Sequence, residues 1–587
     1  MNKLSQFWQE LKRRKVVRVI TVYAAAAFVI LELVDIITDP FGLPDWTLIL
    51  VVVLLCIGLI VSMIFSWIYD VKPEGGLERT KPSHKVKTED QQLSSGGWKI
   101  ATYLSFVVII ALIVFNILST GNKSGASSVR EKSIAVLPFA NLSEDRGNEY
   151  FADGLVDDLL NRISVIEELK VISRTSSEMY RDRGAKSVPA IASELGVSYI
   201  LEGSVQRYGN KARINVQLID AINDDHIWAE NYDRDIVDVF KIQSEIAIHI
   251  ASELNTILTS KQKMHLQDDK TKNVKAFELY QMGRFFWNKR TGDGYKTSME
   301  YFEKAIEEDP GYGLAYAGLA DTYNLMAIQG WIDKQEGRDK AVELALKALE
   351  LDENLAEAYT VLGSIYDYVD WDWENAESAF KRAIEINPNY ATAHHYYSQH
   401  LHITGQHEDA WLHIGKALEL NPLSFVIRYV SGHEMYYNDG LFEEALAEIQ
   451  KCNELHENHP WIARAELEIY WRLGEEERAY EALKKILNRD SVYNLKEAED
   501  IYKESGLNVV IDWKMEIDSM DTERRFQAYH IANTYGMIGE NEKAMDWLEK
   551  ASNMHMISPH LSFNIHFKNL HNNPRYIAIL EEMGLGG

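Results

Sequence analysis

Three long apolar runs, at residues 16–37, 46–69 and 100–118, stand apart from the mixed apolar and polar patterning of the rest of the chain. Each supplies the ~20 helical residues that cross a ~30 Å hydrocarbon core, so three membrane-spanning helices are expected. An odd number of spans puts the two ends of the chain on opposite sides of a bilayer. The first tail carries Lys3, Lys12, Arg13, Arg14, Lys15 and Arg18 against Glu10, and the loop at 70–99 carries Lys72, Arg79, Lys81, Lys85, Lys87 and Lys99. The intervening loop 38–45 has neither Lys nor Arg. The positive-inside bias then places the N-terminus in the cytoplasm and everything after residue 118 on the far side, which for a bacterial inner membrane is the periplasm. Glu32 and Asp35 lie near the outer end of the first span, close enough to reach the interface.

Beyond a Gly/Ser-containing linker at 121–132 the pattern becomes mixed α/β over residues 133–260. Short runs at 133–139 and 169–173 read as buried strands. Residues 150–163 have helical spacing, and 188–195 form a short helix stopped by Gly196. Strands follow at 199–207, 212–220 and 226–232, the first two joined by a tight turn around Gly209-Asn210. A long helix over 236–258 closes the unit.

From residue 271 to 587 the period changes. Ala376, Phe380, Ala383 and Pro388 recur as Ala410, Ile414, Ala417 and Pro422, each displaced by 34 residues. Ser298, Phe302, Ala305 and Pro310 follow the same grammar earlier, and Ala544, Leu548 and Ala551 later. A 34-residue helix–turn–helix period with small residues at close helix contacts is the tetratricopeptide (TPR) pattern. About seven repeats are expected, in an all-α solenoid with a C-terminal capping segment. The expected architecture is therefore a multi-domain chain: a three-helix transmembrane module (1–120), an α/β domain and a TPR array.

The segments SIAVLPFANLSED, YFADGLVDDLL, LKVISRTSS, ELGVSYILEGSV and IWAENYDRD together resemble the TolB amino-terminal-like domain that bacteria couple to TPR arrays. The stretch from LKRRKVVRVITVYAAAAFV to SWIYDVKPEGGLERT resembles the membrane module that precedes such domains, and Pro574-Arg575-Tyr576 with Met583-Gly584-Leu585 the family's ending. That resemblance implies an envelope protein used in sensing or assembly, in company with adenylate cyclases or membrane transcription regulators. With no cyclase or winged-helix domain recognisable in the chain, output would pass through a partner or through the membrane helices.

Charge narrows the partners. Residues 1–99 hold 12 of the 61 Lys+Arg and 10 of the 88 Asp+Glu, leaving 49 and 78 for the remainder, a net of −29. Phosphate backbones are held by Lys/Arg neutralisation, so nucleic acid is not an expected partner. Cys56 and Cys452 are too far apart in context to pair, so the fold does without disulfides. No phosphate-cradling G-x-x-x-x-G-K-[ST], no G-x-S-x-G, no H-E-x-x-H and no C-x-x-C is present, and neither an enzyme nor a cofactor is expected. Asp153-Gly154 reads as a helix head with close backbone packing. Trp331, Trp371 and Trp373 read as packing residues. His394, His395, His400, His402, His407 and His413 cluster in sequence, but on one helix only His395 and His402 share a face, so no metal site is expected.

The candidate site is a partner-binding groove lined by the first helix of each repeat. Positions at i, i+4 and i+7 share a face, giving Ala317, Asp321 and Asn324, then Thr360, Ser364 and Asp367. His395, Gln399 and His402 follow, then Tyr429, His433 and Tyr436. With Tyr anchors and few Lys/Arg, the groove suits a neutral or basic extended peptide or protein segment. A membrane-anchored periplasmic scaffold is the expected function. The alternative is a sensory subunit that relays groove occupancy through its three bilayer-spanning helices to a cytoplasmic adenylate cyclase or transcription regulator.

Overall fold

A computed structural model describes residues 132–586 apart from 144–148, 183, 185, 268, 269 and 521–526. Before residue 132 it describes scattered positions and one hairpin, Tyr69–Val71 paired with Leu77–Arg79. The predicted spans at 16–37, 46–69 and 100–118 fall almost wholly outside the described residues. Among the described residues no helix is long and apolar enough to cross a membrane. Contacts divide the chain into two units, Met1–Arg130 and Glu131–Gly587, and the second holds a mixed sheet and a helical array.

The sheet is built from β1 (Ser133–Val136), β2 (Ala140–Asn141), β3 (Lys170–Val171), β4 (Tyr199–Tyr208), β5 (Lys211–Asp220) and β6 (Asp225–Asp235). The order is β3-β1-β4-β5-β6 with β2 also beside β4; β3, β1 and β4 run parallel, and β4, β5 and β6 antiparallel. Alternation along β5 turns Ala212, Ile214, Val216 and Leu218 inward. Helices α1 (Glu149–Ile163) and α4 (Val239–Glu253) close over that face with Leu155, Leu159, Ile163, Ile246 and Ile250. On the other face α3 (Val188–Leu195) packs Ile191 and Leu195 against Leu137 and Ile200, and stops at Gly196 with φ 65°, as the sequence suggests.

Two local expectations change. A short helix, α2 (Arg174–Glu178), follows β3. The single helix expected over 236–258 is a 3-10 turn followed by α4, which ends at Glu253, and a separate α5 (Ser260–Gln267) comes after it. Asn255 breaks it, standing at φ 50° while Thr256 N donates to Ala251 O.

The array runs as helical hairpins. The first four are α6 (Val274–Asn288) with α7 (Gly292–Glu308), α8 (Gly313–Ile328) with α9 (Lys334–Leu351), α10 (Ala356–Ile365) with α11 (Trp373–Ile386), and α12 (Ala391–Ile403) with α13 (His407–Leu420). Then come α14 (Phe425–Tyr429) with α15 (Phe442–Leu455), α16 (Pro460–Leu473) with α17 (Glu476–Leu487), α18 (Leu495–Ser505) with α19 (Leu507–Ser519), and α20 (Gln527–Ile538) with α21 (Asn541–Asn553). Among the described residues eight pairs form where seven are expected, because α18 and α19 are joined through Gly506 alone and carry no 34-residue signature. Two 3-10 turns, Pro559–Phe563 and Ile565–Leu570, lead to α22 (Pro574–Glu582).

The recurrent aromatic and small positions meet as the period implies. A Cβ at Gly363 would lie 2.6 Å from Phe380 Cε1, and one at Gly283 would lie 2.5 Å from Phe302 Cε1. Both rings are fully buried and have no room to yield. Replacing Gly363 by Val is therefore expected to lower unfolding free energy by about 1–3 kcal/mol in a urea titration, the range for overpacked cores.

The α/β domain and the array are docked through shared apolar and polar contacts. Leu266 and Phe277 belong to the sheet's own core cluster. Gly154 sits inside α1, where a Cβ would lie 2.6 Å from Gln281 Cγ, so it permits the close approach of α1 to α6 and does not head a helix. Asn389 Nδ2 donates to Ser164 O at 2.8 Å and Leu169 O at 2.9 Å, and its Oδ1 accepts from Val171 N at 3.2 Å. Asn387 Nδ2 donates to Ser164 Oγ at 2.9 Å, and Ser176 Oγ donates to Asn421 Oδ1 at 2.6 Å. Severing residue 270 would strip apolar cover from the sheet domain and leave these buried polar groups unpaired.

Candidate functional site

The predicted groove residues do line up from one hairpin to the next, but most are buried and bonded within the chain. Asn324 Nδ2 donates to Ser364 Oγ at 3.1 Å, joining two predicted positions across adjacent pairs. Thr360 donates back to Ala356 O at 2.8 Å. Asp367 is fully buried and meets His400 Nδ1 at 2.7 Å; burial pushes its carboxyl up, against the pull of His400. Gln399 Nε2 donates to Glu434 Oε2 at 2.6 Å. His402 Nε2 lies 3.3 Å from Asp439 Oδ1. Tyr429 contacts His433 Nδ1 at 3.2 Å, and His433 Nε2 lies 3.0 Å from the buried Glu468. Tyr436 is half-buried, with its ring 4.4 Å from that of Trp411.

The chain's own C-terminal segment crosses the array beside these positions, and of the groove residues it touches His402. Lys334 Nζ donates to His555 O at 3.0 Å, and the Tyr368 hydroxyl meets His560 Nε2 at 3.2 Å. Phe563 packs on the His402 ring at 4.1 Å while Ser562 Oγ donates to Ile403 O at 3.0 Å. Ile565 N donates to Asn438 Oδ1 at 3.0 Å, and His566 lies 3.1 Å from Arg472 Nη2 and 3.2 Å from Glu468 Oε2. The array-side contacts Lys334, Tyr368, His402, Asn438 and Arg472 are separated by 34, 34, 36 and 34 residues. Tyr368, His402, Asn438 and Arg472 thus lie at or just beyond the ends of the first helices of four successive hairpins, and Lys334 opens α9, the second helix of the hairpin before them. Trp373 completes the closure, its Nε1 donating to Met583 O at 2.9 Å. That gives this tryptophan a packing role, as the sequence suggests.

Towards α6 the same face stays more open. Asp321 shares a narrow crevice with Arg284, Ala317, Glu357, Thr360, Tyr390 and Tyr396. Burial raises the Asp321 and Glu357 carboxyls despite Arg284 beside them. Arg284, Glu357 and the two tyrosines escape a reading of the sequence because they sit outside its i, i+4, i+7 frame.

A second cleft, of about 740 Å³, opens on the half of the sheet that α3 leaves uncovered. Glu202 and Ser204 on β4, Asn215 and Gln217 on β5 and Asn231 on β6 form its polar floor, with Glu149, Tyr180 and Arg181 at the rim. Asn215 Nδ2 donates to Ser204 Oγ at 3.0 Å, and Gln217 to Glu202. Arg181 is fixed by Asp153 at 2.6 Å, a carboxylate that Arg174 also contacts at 3.2 Å. Alternating polar residues on the strands are the sequence signal for this face.

Two buried histidines set a pH limit on the array. His394 Nε2 faces the Pro388 carbonyl at 3.1 Å and donates to it, and in the neutral ring its Nδ1 accepts from His413 Nδ1 at 2.8 Å. Burial first, then His413 and Lys416, bring His394 down to about 4; burial, Arg290 and His560 bring His395 down to about 3. Both take up protons more readily unfolded, near pH 6.5, so stability is fully present above that pH and is lost as pH falls towards 4. Each unit in that window is expected to cost up to about 1.4 kcal/mol per histidine. Melting curves of His394→Gln and His395→Gln against wild type should show a shallower acid slope in the variants.

Residues 130–248 match a family described as the HilA/YgeH-like transcriptional regulator, second domain. A Rhizobium meliloti (strain 1021) protein named "Putative adenylate cyclase 3" is 33% identical over 225 residues, 38% of this chain and 38% of that protein. The transcriptional regulator HilA of Salmonella typhimurium is 26% identical over 219 residues, 37% of this chain and 39% of its own. This chain therefore spans about two fifths of the length of these curated relatives. Among solved structures, the Thermus thermophilus TPR protein TTC0263 is 23% identical with a TM-score of 0.28, covering 32% of this chain and 96% of its own. YrrB, a TPR protein with an unusual peptide-binding site, is 19% identical with a TM-score of 0.22, covering 35% of this chain and 97% of its own.

Proposed function

We propose that this chain is a protein-interaction scaffold whose helical array holds an extended polypeptide across the first helices of successive repeats. The observation that carries the reading is the seating of residues 555–566, which meet five hairpins, four of them at related positions near the ends of their first helices, through side-chain and backbone hydrogen bonds and ring contacts. A surface that seats one short segment of 3-10 turns in this way is suited to another segment of polypeptide. Arg284, Asp321, Glu357, Tyr390 and Tyr396, part-buried around a crevice of only about 10 Å³, are the surface offered to a protein or peptide partner, with tyrosines and a guanidinium of the kind enriched in binding hot spots.

Residues 1–120 are read as a three-span membrane anchor with the N-terminus cytoplasmic and residues after 118 periplasmic, supported by the apolar runs and the Lys/Arg asymmetry. The α/β domain is read as TolB amino-terminal-like, on segments such as SIAVLPFANLSED and ELGVSYILEGSV. A second reading, a sensory subunit acting on a cytoplasmic cyclase or transcription regulator, draws on the similarity to proteins bearing those names.

A photo-crosslinking residue in place of Tyr396, introduced into the full chain in cells, tests the groove. Adducts with a second polypeptide, enhanced by the double variant His560→Ala/Phe563→Ala, are expected. Adducts absent from both backgrounds would remove the array face and leave the cleft above β4–β6 as the contact surface. Replacing residues 16–118 by an unrelated anchor of equal topology then separates the readings, since scaffolding survives the exchange and signalling does not.

A further inference from the structure

The geometry points to a divalent transition-metal site formed by His402, His407 and Asp439, at the rim where two adjacent hairpins meet. One ligand atom from each of the three lies within 4.8 Å of the others. His402 is near the end of α12, His407 is the first residue of α13, and Asp439 lies in the turn between α15 and the helical segment Val430–Tyr436 that continues α14. The imidazole rings stand 4.7 Å apart at 81°, so their edges approach a common point from different directions. The His402 Nε2 to Asp439 Oδ1 distance, 3.3 Å, is long for a charge-assisted hydrogen bond and leaves the pair loosely joined.

Three further features suit an ion. Asp439 is oriented from behind, its Oδ2 accepting from Trp411 Nε1 at 2.9 Å, as ligating carboxylates commonly are. Both turns are fixed by their own backbones: Gln406 N donates to Leu401 O at 2.7 Å with Gly405 at φ 84°, and Asp439 N donates to Met435 O at 3.0 Å with Gly440 at φ 80°. The site is also accessible, since His407 and Asp439 are exposed while His402 is buried. Two imidazoles and one carboxylate select first-row cations of the Zn²⁺ and Co²⁺ class over Mg²⁺ or Ca²⁺, and leave coordination positions for water. The sequence hides the trio because Asp439 comes from the next hairpin, while His394, His395, His400 and His413, which crowd the same stretch, face elsewhere.

Bound there, the ion ties the α12–α13 turn to the α14–α15 turn. The experiment is Co²⁺ titration of the purified full chain, followed by visible d–d absorption and by calorimetry, with Zn²⁺ as competitor. One saturable site displaced by Zn²⁺ is expected. His407→Ala and Asp439→Asn, both exposed substitutions, are each expected to weaken it at least ~10-fold, since even outer-shell losses cost 10–100-fold. His413→Ala, which removes a neighbouring histidine outside the trio, should leave affinity unchanged. Absence of saturable binding, or binding indifferent to His407→Ala and Asp439→Asn with the helical spectrum intact, overturns the assignment.

Discussion

Replacing Asn389 by Ala is expected to destabilise Glu131–Gly587 by about 3–5 kcal/mol, far beyond the loss of one array side chain. The reason is that β3 is an edge strand, and edge strands need a partner or a cover. Asn389 supplies one: its Oδ1 accepts from Val171 N, and its Nδ2 serves Ser164 O, Ile166 O and Leu169 O. Truncation takes this partner from the Val171 N–H and the Ser164 and Leu169 carbonyls, each costing ~1–3 kcal/mol unless water enters, while Ile166 O keeps Leu169 N. Urea denaturation gives the total, and hydrogen exchange gives the location. Amides of Lys170, Val171 and Ile172 should exchange fastest relative to wild type, while α16–α17 should be nearly unchanged. A loss below ~1 kcal/mol would mean that the docking contacts are dispensable.

The second large effect is expected at Glu468. Its carboxylate is buried and faces His433 at 3.0 Å, His566 at 3.2 Å and Arg464 at 3.0 Å. Burial alone would raise this carboxyl, but His433, His566 and Arg464 together hold it well below the usual carboxylate range. His566 itself is pushed down by burial and so meets Glu468 as a neutral donor. Breaking such a cluster from the acidic side typically costs 3–5 kcal/mol, and Glu468→Ala should fall at about that value. The structural signature matters more than the total. His566 sits in the C-terminal segment, so limited proteolysis should begin to cut within 558–567 in the variant and spare it in wild type. Glu468→Gln keeps the shape but not the charge, and should lie between the two.

The sequence carries the local grammar well where period and side-chain size coincide. Phe380 against Gly363, the stop at Gly196 and the alternation of β5 all follow from neighbours within one or two helical turns or strand registers. The groove frame is legible for the same reason, since Asn324 and Ser364 do meet across hairpins. That most of the frame is buried and bonded within the chain is not legible. Nothing in the spacing of His560, Phe563 and His566 indicates that they return across the array to Tyr368, His402 and Glu468. Nor does the α18–α19 pair announce itself, because Gly506 alone makes its turn. Asp153-Gly154 shows the limit of motif reading: the glycine is needed for helix packing, and the aspartate for Arg174 and Arg181.

Asn387-Pro388 and Asn421-Pro422 close consecutive repeats, and the same two asparagines grip Ser164 and Ser176 on the sheet domain. Stacked repeats generally tolerate gain or loss of a unit, because each touches only its neighbours. This stretch cannot. The two loops act like adjacent teeth of a rack whose pitch is copied into the twelve residues separating Ser164 from Ser176. Duplicating residues 391–424 would preserve every contact inside the array and still throw one tooth out of mesh. Length variation among such chains should therefore be confined to repeats beyond α13, and recombination breakpoints between 387 and 421 should be selected against.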